Sequence, residues 1–368
     1  MTMTFSAADF DFSADGSEFY PVPALARLRR ADIFAVLLSP RSLHVAGFAA
    51  TALLAALAVQ SLSSSLASVE SGAVFSAIGA TSALSISAAL LFTALSYLAL
   101  TGYDGFAVRH LGLSIPYRRI ALASFISYSL SNSIGFALLT GGSVRYRLYG
   151  RDVPGGAGYQ AGRIAIITVI CGLTFGLSGA ALAGVAFLVA PSLIAPSLGL
   201  PVMGVQFTGL ALLIGLGHYL KFAGAGGETL KLGNVRVPLP SAAATLAQIA
   251  VGTADIVFAG TALYLLLPVA PAVGYLGFIG LFAAAMTLGY YSHVPGGIGV
   301  FESIMLIALP DVPTGPLFAS LLLFRVIYYL LPLAAGLATF GAFEGRRAYA
   351  AYKKRPVILR PIPRSFAR

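Results

Sequence analysis

The chain has 368 residues, of which 58% are hydrophobic and 10% are charged, and its mean hydropathy is +0.88. In a soluble domain roughly a quarter of the residues are charged. This composition therefore excludes a soluble globular protein and predicts a polytopic membrane protein. The net charge of +10 does not indicate nucleic-acid binding. Lys and Arg lie in short clusters between apolar stretches, which is the pattern of cytoplasmic loops in membrane proteins.

Eight apolar stretches follow one another, at about 43–61, 73–100, 120–139, 164–190, 204–220, 240–267, 274–292 and 316–343. A helix needs ~20 apolar residues to cross ~30 Å of hydrocarbon. Arginines cluster at the end of the polar segment 1–42, and the tail 344–368 is basic, so both termini are predicted to be cytoplasmic. Segment 1–42 carries acidic residues where a signal peptide would be basic, and no cleaved signal peptide is expected.

Two of the stretches, 120–139 and 274–292, are predicted to enter the membrane and return to the same side. If both crossed it, the arginine-rich loops would lie on mixed sides. With both re-entrant, all 23 Lys and Arg residues except Arg325 lie on the cytoplasmic side. The expected breaks are Thr140-Gly141-Gly142 and Pro295-Gly296-Gly297, because glycine adopts positive φ at little steric cost.

These segments form a predicted inverted repeat. The order of two spans, a re-entrant element and a further span occurs over about 43–190 and again, upside down, over about 204–343. The predicted fold is therefore all-α, with about eight membrane segments in a 4+4 arrangement. Inverted repeats with broken helices are typical of transporters, which hold their substrate at the interface of the repeats.

Charged residues inside the membrane are candidate functional groups, because burying a charge there costs ~3 kcal/mol or more. Glu302 follows the second break and is a candidate cavity carboxylate that contacts a cationic group or pairs with an arginine. The alternative is that its side chain snorkels to the outer interface. Asp255 stands in the middle of a span. Arg325 is the only cation predicted inside the membrane, and an ion pair with Glu302 or Asp255 would explain it equally well. Asp104 follows the second span, where a helix cap or a solvated loop residue is the alternative.

Arg145 and Arg147 directly follow Gly141 and Gly142. A guanidinium fork beside backbone N–H groups is suited to a phosphate diester, so these residues are candidates for binding a lipid phosphate. Anchoring on the cytoplasmic side is the alternative. Catalytic or metal chemistry has little support: the single cysteine, Cys171, lies in an apolar stretch, and the four histidines are scattered. No cofactor is predicted.

Three motifs resemble one known family: Leu139-Thr-Gly-Gly-Ser-Val-Arg-Tyr-Arg-Leu-Tyr149, His293-Val-Pro-Gly-Gly-Ile-Gly-Val-Phe-Glu302 and Arg325-Val-Ile-Tyr-Tyr-Leu-Leu-Pro332. They are similar to the N-terminal flippase domain of the bacterial lysylphosphatidylglycerol synthase, or multiple peptide resistance factor, family. The resemblance covers about 40–345. It implies that the chain moves aminoacylated phosphatidylglycerol to the outer leaflet of the bacterial inner membrane, which protects against cationic antimicrobial peptides. It also implies charged roles for Asp104, Arg145, Asp255 and Glu302.

The resemblance does not extend to the family's cytosolic synthase domain, so no synthase activity is expected. The leading hypothesis is a flippase in which the arginines hold the lipid phosphate and the carboxylates meet a cationic head group. Its expected partners are an anionic or aminoacylated phospholipid, and a separate synthase or a second copy of the chain. Two alternatives remain open: a membrane transferase with Glu302 or His293 as general base, and a membrane partner subunit without transport activity.

Overall fold

The computed structural model describes residue 76 and residues 78–135, 139–149, 152–154, 157–224, 229–232, 235–238, 240–292 and 294–353. The predicted first span at 43–61, the segment 1–42, His293 and most of the basic tail lie outside the described residues.

The described chain is almost entirely helical. Its helices are α1 (Ala83–His110), α2 (Tyr117–Ile134), α3 (Thr140–Tyr149), α4 (Ala157–Val189), α5 (Pro191–Leu198), α6 (Val202–Gly224), α7 (Ala242–Tyr264), α8 (Gly274–Tyr291), a 3-10 turn (Pro295–Gly297), α9 (Val300–Ala308), α10 (Thr314–Phe324), a π-helix (Arg325–Leu330) and α11 (Leu331–Lys353). A short antiparallel hairpin of β1 (Thr229–Leu232) and β2 (Val235–Pro238) follows α6.

Six of the described helical segments are long and apolar enough to cross a membrane: α1, Gln160–Val189 of α4, Val202–Ala223 of α6, α7, α8 and the continuous segment Thr314–Arg347. The prediction of an all-α polytopic membrane protein is confirmed. Helix α1 packs along α7, and α4 contacts both. The approach is close at Gly252 of α7, where a Cβ would overlap the Ser178 hydroxyl of α4. A larger residue would push these helices apart.

The first re-entrant element is a helical hairpin. Helix α2 ends at Gly135, which has a φ of 82°, and α3 runs back along α2, so that the Ser127 hydroxyl donates to the Gly141 carbonyl at 3.1 Å. An ion pair between Arg119 and Asp152 joins the two ends of the hairpin. The doubling back is as predicted, but the position of the break is not.

The predicted break at Gly141 and Gly142 is wrong. Both residues lie in the first turn of α3, and neither has a positive φ. Their small size is explained by packing instead: a Cβ on Gly141 would lie 2.8 Å from Nη1 of Arg145 and 3.7 Å from Cβ of Ser127. A pair of glycines in the sequence is therefore compatible both with a turn and with a close contact between two helices, and here it marks the contact.

The second re-entrant element has its break where the sequence placed it. Gly296, Gly297 and Gly299 have φ values of 60°, 60° and 83°, between α8 and α9. The two ends of this hairpin lie together, because the Ala272 amide donates to the Asp311 carboxylate at 2.6 Å. Both segments thus return to the end where they began. The side of the membrane from which each enters stays a prediction.

The two broken hairpins meet each other. A Cβ on Gly296 would lie 3.2 Å from the Ser133 carbonyl at the end of α2. The Ser133 hydroxyl donates to the Tyr329 carbonyl of the π-helix at 3.4 Å, and Gly336 of α11 lies against Ser129. The breaks are therefore neighbours inside the helical assembly. The 4+4 inverted repeat itself stays a prediction.

The predicted second span differs from the structure in its boundaries, and two connecting segments contain short elements. Helix α1 covers 83–110 rather than 73–100, so Asp104 is inside a helix and not in a loop or at its cap. The charge of Asp104 does not end the span, because its carboxylate is paired with Arg145 inside the fold and α1 continues to His110. The uncharged segment 191–203 contains α5, and the charged segment after α6 contains the β-hairpin.

Candidate functional site

A buried ion pair joins α1 to the first hairpin. Arg145 of α3 donates from Nε and Nη2 to the two oxygens of Asp104, at 2.6 and 2.8 Å. The side chains are 2% and 0% exposed. Tyr149 donates to the same carboxylate at 3.1 Å, and the guanidinium lies 5.0 Å from the centre of the Tyr128 ring. Asp104, Arg145 and Tyr149 are all buried within the protein.

Such a pair offsets the cost of burying two charges only because its geometry is bidentate and its remaining lone pairs are used. The sequence placed Arg145 among the cytoplasmic charges that follow the first re-entrant element. The structure places it in α3 and buries it within the protein, with 1% of the residue exposed. In this conformation the guanidinium fork is occupied by Asp104, so a lipid phosphate would have to replace the carboxylate to reach it.

A second ion pair lies behind the second break. Arg325, the first residue of the π-helix, donates from Nε to Glu302 at 2.5 Å, and its Nη1 donates to the Gly296 carbonyl. The other oxygen of Glu302 accepts from the Gly299 amide at 2.8 Å. Of the two partners foreseen for Arg325, the structure selects Glu302 and not Asp255.

Glu302 has a local structural role as well as a charge. Its carboxylate caps the first turn of α9, where free backbone N–H groups and the helix dipole favour a negative charge. Each of its oxygens accepts one hydrogen bond, from the Gly299 amide and from Arg325. Arg325 keeps one unused donor: its Nη2 is buried and has no hydrogen-bond partner among the described residues.

Asp255 is the third buried carboxylate, and it differs from the others. It lies in α7, is 1% exposed, and accepts hydrogen bonds from Ser96 at 2.5 Å and from Tyr103 at 3.0 Å. Ser96 in turn contacts the Tyr328 hydroxyl at 3.0 Å. The partners are hydroxyl groups from α1, and the chain of hydrogen bonds ends on the π-helix.

Arg147 is separated from Arg145 by the geometry of α3. Its side chain is 53% exposed and pairs with Glu344 of α11, at 2.8 Å from Nε and 2.6 Å from Nη2. Arg347 lies 3.7 Å from the same carboxylate and donates to the Arg147 carbonyl. This cluster joins the first hairpin to α11, and the two arginines do not form one site.

Sequence reasoning missed the neutral partners of these charges: Ser96, Tyr103, Tyr149, Tyr328 and Tyr329. Tyr103 precedes Asp104, and Tyr328 and Tyr329 follow Arg325 closely, so tyrosines beside a charge were an available signal. Ser96 had no such signal, because it is one serine in a serine-rich region. Glu344 was assigned to the basic tail, but α11 continues through it to Lys353.

Comparisons with known proteins find similarity over most of the chain, although no family model matches it. The chain is 34% identical over 253 residues to the uncharacterized protein slr0712 of Synechocystis sp., which covers 68% of this chain and 76% of that protein. It is 28% identical over 255 residues to the inner membrane protein YbhN of Escherichia coli, covering 68% and 77%.

A shorter similarity involves a named enzyme. Over 75 residues, the chain is 37% identical to the phosphatidylglycerol lysyltransferase of Staphylococcus haemolyticus. This stretch covers 19% of the chain and 9% of the enzyme. It links the chain to that enzyme locally and does not extend to the enzyme as a whole.

Proposed function

The chain belongs to the YbhN-like family of membrane proteins, together with slr0712 of Synechocystis, and we propose that its function is to move phospholipid head groups across the bilayer. The proposed substrate is an anionic or aminoacylated phospholipid, carried from the inner to the outer leaflet of the cell membrane. The resemblance of the glycine-rich motifs to a flippase domain supports this proposal. So does the short match to a lysyltransferase named for phosphatidylglycerol.

One observation carries the proposal: two broken helical hairpins touch inside the helical assembly, and each has a buried arginine–carboxylate pair beside it. Irregular backbone at membrane depth survives only where protein or a wet cavity surrounds it. Ionisable residues at that depth are costly and mark pathways for polar substrates. Broken helices that meet are the arrangement in which transporters bind substrate.

The two ion pairs suit a head group that carries both a phosphate and an amine. A phosphate can replace a carboxylate as the acceptor for an arginine fork, because each group presents two anionic oxygens to the two parallel N–H donors of the guanidinium. A cationic amine can replace the guanidinium next to the released carboxylate. The buried Nη2 of Arg325 has no hydrogen-bond partner among the described residues, so once the halves open it can bind a phosphate oxygen while Nε stays on Glu302.

Gly296 gives the second hairpin its close approach to the first, and Gly297 packs on Gly289 within the second hairpin. Gly141 lets α3 pack against Ser127 of α2, and Gly142 faces Thr168 of α4. In this proposal they shape the path, while Asp104, Arg145, Glu302 and Arg325 exchange partners with the lipid. Arg147 and Glu344 hold α3 to α11. The inverted repeat over 43–190 and 204–343 would let the two halves open in turn.

The test is movement of a labelled head group in liposomes that contain the full chain. We expect wild type to expose inner-leaflet lysyl-phosphatidylglycerol to an impermeant amine reagent, and Glu302→Gln to lose most of that rate. Asp311→Asn is the matched control, because the amide oxygen can still accept from Ala272 and the residue lies outside the ion pairs. Equal rates for wild type, Glu302→Gln and empty liposomes would refute the proposal, and chemical change of the lipid would favour a transferase.

A further inference from the structure

Asp255 is a carboxylate in excess of the available positive charge. Among the described residues of the helical interior, Arg145 pairs with Asp104 and Arg325 pairs with Glu302. These four charges cancel. Asp255 has only hydroxyl partners in the part of the chain that the structure describes, from Ser96 and Tyr103.

The surroundings of Asp255 confirm that no cation faces it from the described elements. Helix α1 brings Tyr97 and Tyr103, the π-helix brings Tyr328 and Tyr329, and Cys171 of α4 lies beside Tyr103. The other described helices packed on α7, which are α6, α8 and α10, bring no charged group to it. An ionised carboxylate here would be an uncompensated charge, which is strongly unfavourable inside a membrane.

We propose that Asp255 is a proton-binding site, and that its protonation and deprotonation are coupled to the movement of the π-helix that carries Arg325. This inference rests on the proposed function, since the movement it couples to is that of a lipid head group. The bond formed is the O–H bond of the carboxylic acid, and the proton comes from water. Release returns the same proton to water, so no other reactant is needed.

The hydrogen bonds provide the coupling. When Asp255 is ionised, the Ser96 hydroxyl donates to it and is left to accept from the Tyr328 hydroxyl. When Asp255 is protonated, it can donate to Ser96, and Ser96 then donates to Tyr328. One proton therefore reverses the direction of every hydrogen bond from α7 to the π-helix. Tyr328 is next to Tyr329, whose ring lies 4.5 Å from the Arg325 guanidinium.

The π-helix is a suitable receiver for such a signal. A π-helical turn closes its backbone hydrogen bonds between residues i and i+5, one residue farther apart than in an α-helix. Such turns occur frequently at functional sites. Here it separates α10 from α11 and holds both Arg325 and Tyr328. A change in the hydrogen bond at Tyr328 acts on the same six residues that hold the ion pair of the second hairpin.

The direct test is infrared spectroscopy of the purified full chain as pH is raised, because a protonated carboxylic acid has a carbonyl band that a carboxylate lacks. We expect wild type to show a band that disappears with rising pH, Asp255→Asn to lack it, and Asp311→Asn to keep it. Tyr103→Phe should move the band to higher frequency, because the carbonyl oxygen loses the hydrogen bond that the Tyr103 hydroxyl donates. A band absent from wild type, or unchanged in Asp255→Asn or in Tyr103→Phe, would overturn the proton site.

Coupling is tested separately in liposomes with a pH difference across the membrane. We expect the gradient to change the rate of lipid movement in wild type and to have no effect in Asp255→Asn. Equal responses in the two would overturn the coupling. If wild type moves no lipid but shows the titrating band, the proposed function fails while the proton site stands, so the two failures are distinguishable.

Discussion

At the scale of single residues, the buried charges are organised as pairs. Asp104 and Arg145 satisfy each other through two hydrogen bonds, with Tyr149 as a third partner of the carboxylate. Removing one member leaves a charge with no compensation in an apolar environment, whereas removing both removes the problem. This asymmetry distinguishes a paired charge from a charge whose role is anchoring to the cytoplasmic side.

The pair predicts a specific pattern of stability. We expect Arg145→Gln to destabilise the protein by ~3–5 kcal/mol, because it leaves the Asp104 carboxylate buried and unpaired. The double variant Asp104→Asn with Arg145→Gln should recover most of that loss, since amides can hydrogen-bond to each other. Thermal unfolding of the two variants in the same detergent measures this. A double variant no more stable than Arg145→Gln would contradict the pairing.

At the scale of elements, the two hairpins differ in how the sequence reveals them. The second break contains three glycines with positive φ directly before α9, and Pro295-Gly296-Gly297 identified its position. The first break is at Gly135, which looked ordinary beside the glycine pair at 141 and 142. Both hairpins were nevertheless predictable as elements, because the placement of Lys and Arg favoured a segment that returns over one that crosses. Their exact breaks depend on backbone conformation, which glycine content alone does not determine.

The contact between the two hairpins at Gly296 can be tested by substitution. We expect Gly296→Ala to reduce lipid movement strongly, because a φ of 60° costs a residue with a Cβ ~1–2 kcal/mol and that Cβ would approach the Ser133 carbonyl at 3.2 Å. Gly105→Ala in α1 is the matched control, since a Cβ there meets nothing within 4 Å. The comparison measures initial rates at equal protein density. Equal loss in both variants would attribute the effect to glycine replacement in general rather than to the contact between hairpins.

At the scale of the whole molecule, the two hairpins are predicted to enter from opposite sides of the membrane. The contacts show that each hairpin returns to its own starting end, through Arg119 with Asp152 and through Ala272 with Asp311. Opposite entry would place the two breaks near the midplane from either side, which is the arrangement expected of an inverted repeat.

Cysteine accessibility measures the orientation. In a Cys171→Ser background, we expect Ser143→Cys to react with an impermeant reagent from the cytoplasmic side and Pro310→Cys to react from the outside. Both positions are exposed in the structure. A periplasmic reagent that labels both, or neither, in intact cells would contradict the opposite orientation of the hairpins, while the hairpins themselves would remain.

The amino-acid sequence by itself determined the class of protein, because hydropathy and the positions of Lys and Arg depend on the bilayer and not on internal packing. It also identified the charged residues that the membrane makes costly, Asp104, Asp255, Glu302 and Arg325. It did not determine which of them are partners. Asp104 and Arg145 are 41 residues apart, and Ser96 and Asp255 are 159 apart.

Only the tertiary structure decided these pairings, because helices distant in the chain must pack before their side chains can meet. Among the residues that the structure describes, the same packing brings no cation to Asp255. It also places Arg147 outside the buried cluster of Arg145, two residues away on α3. The local sequence shows that a charged residue lies in an apolar stretch and must be costly to bury. A contact with another helix offsets that cost, and the path of the chain in three dimensions determines which helix provides it.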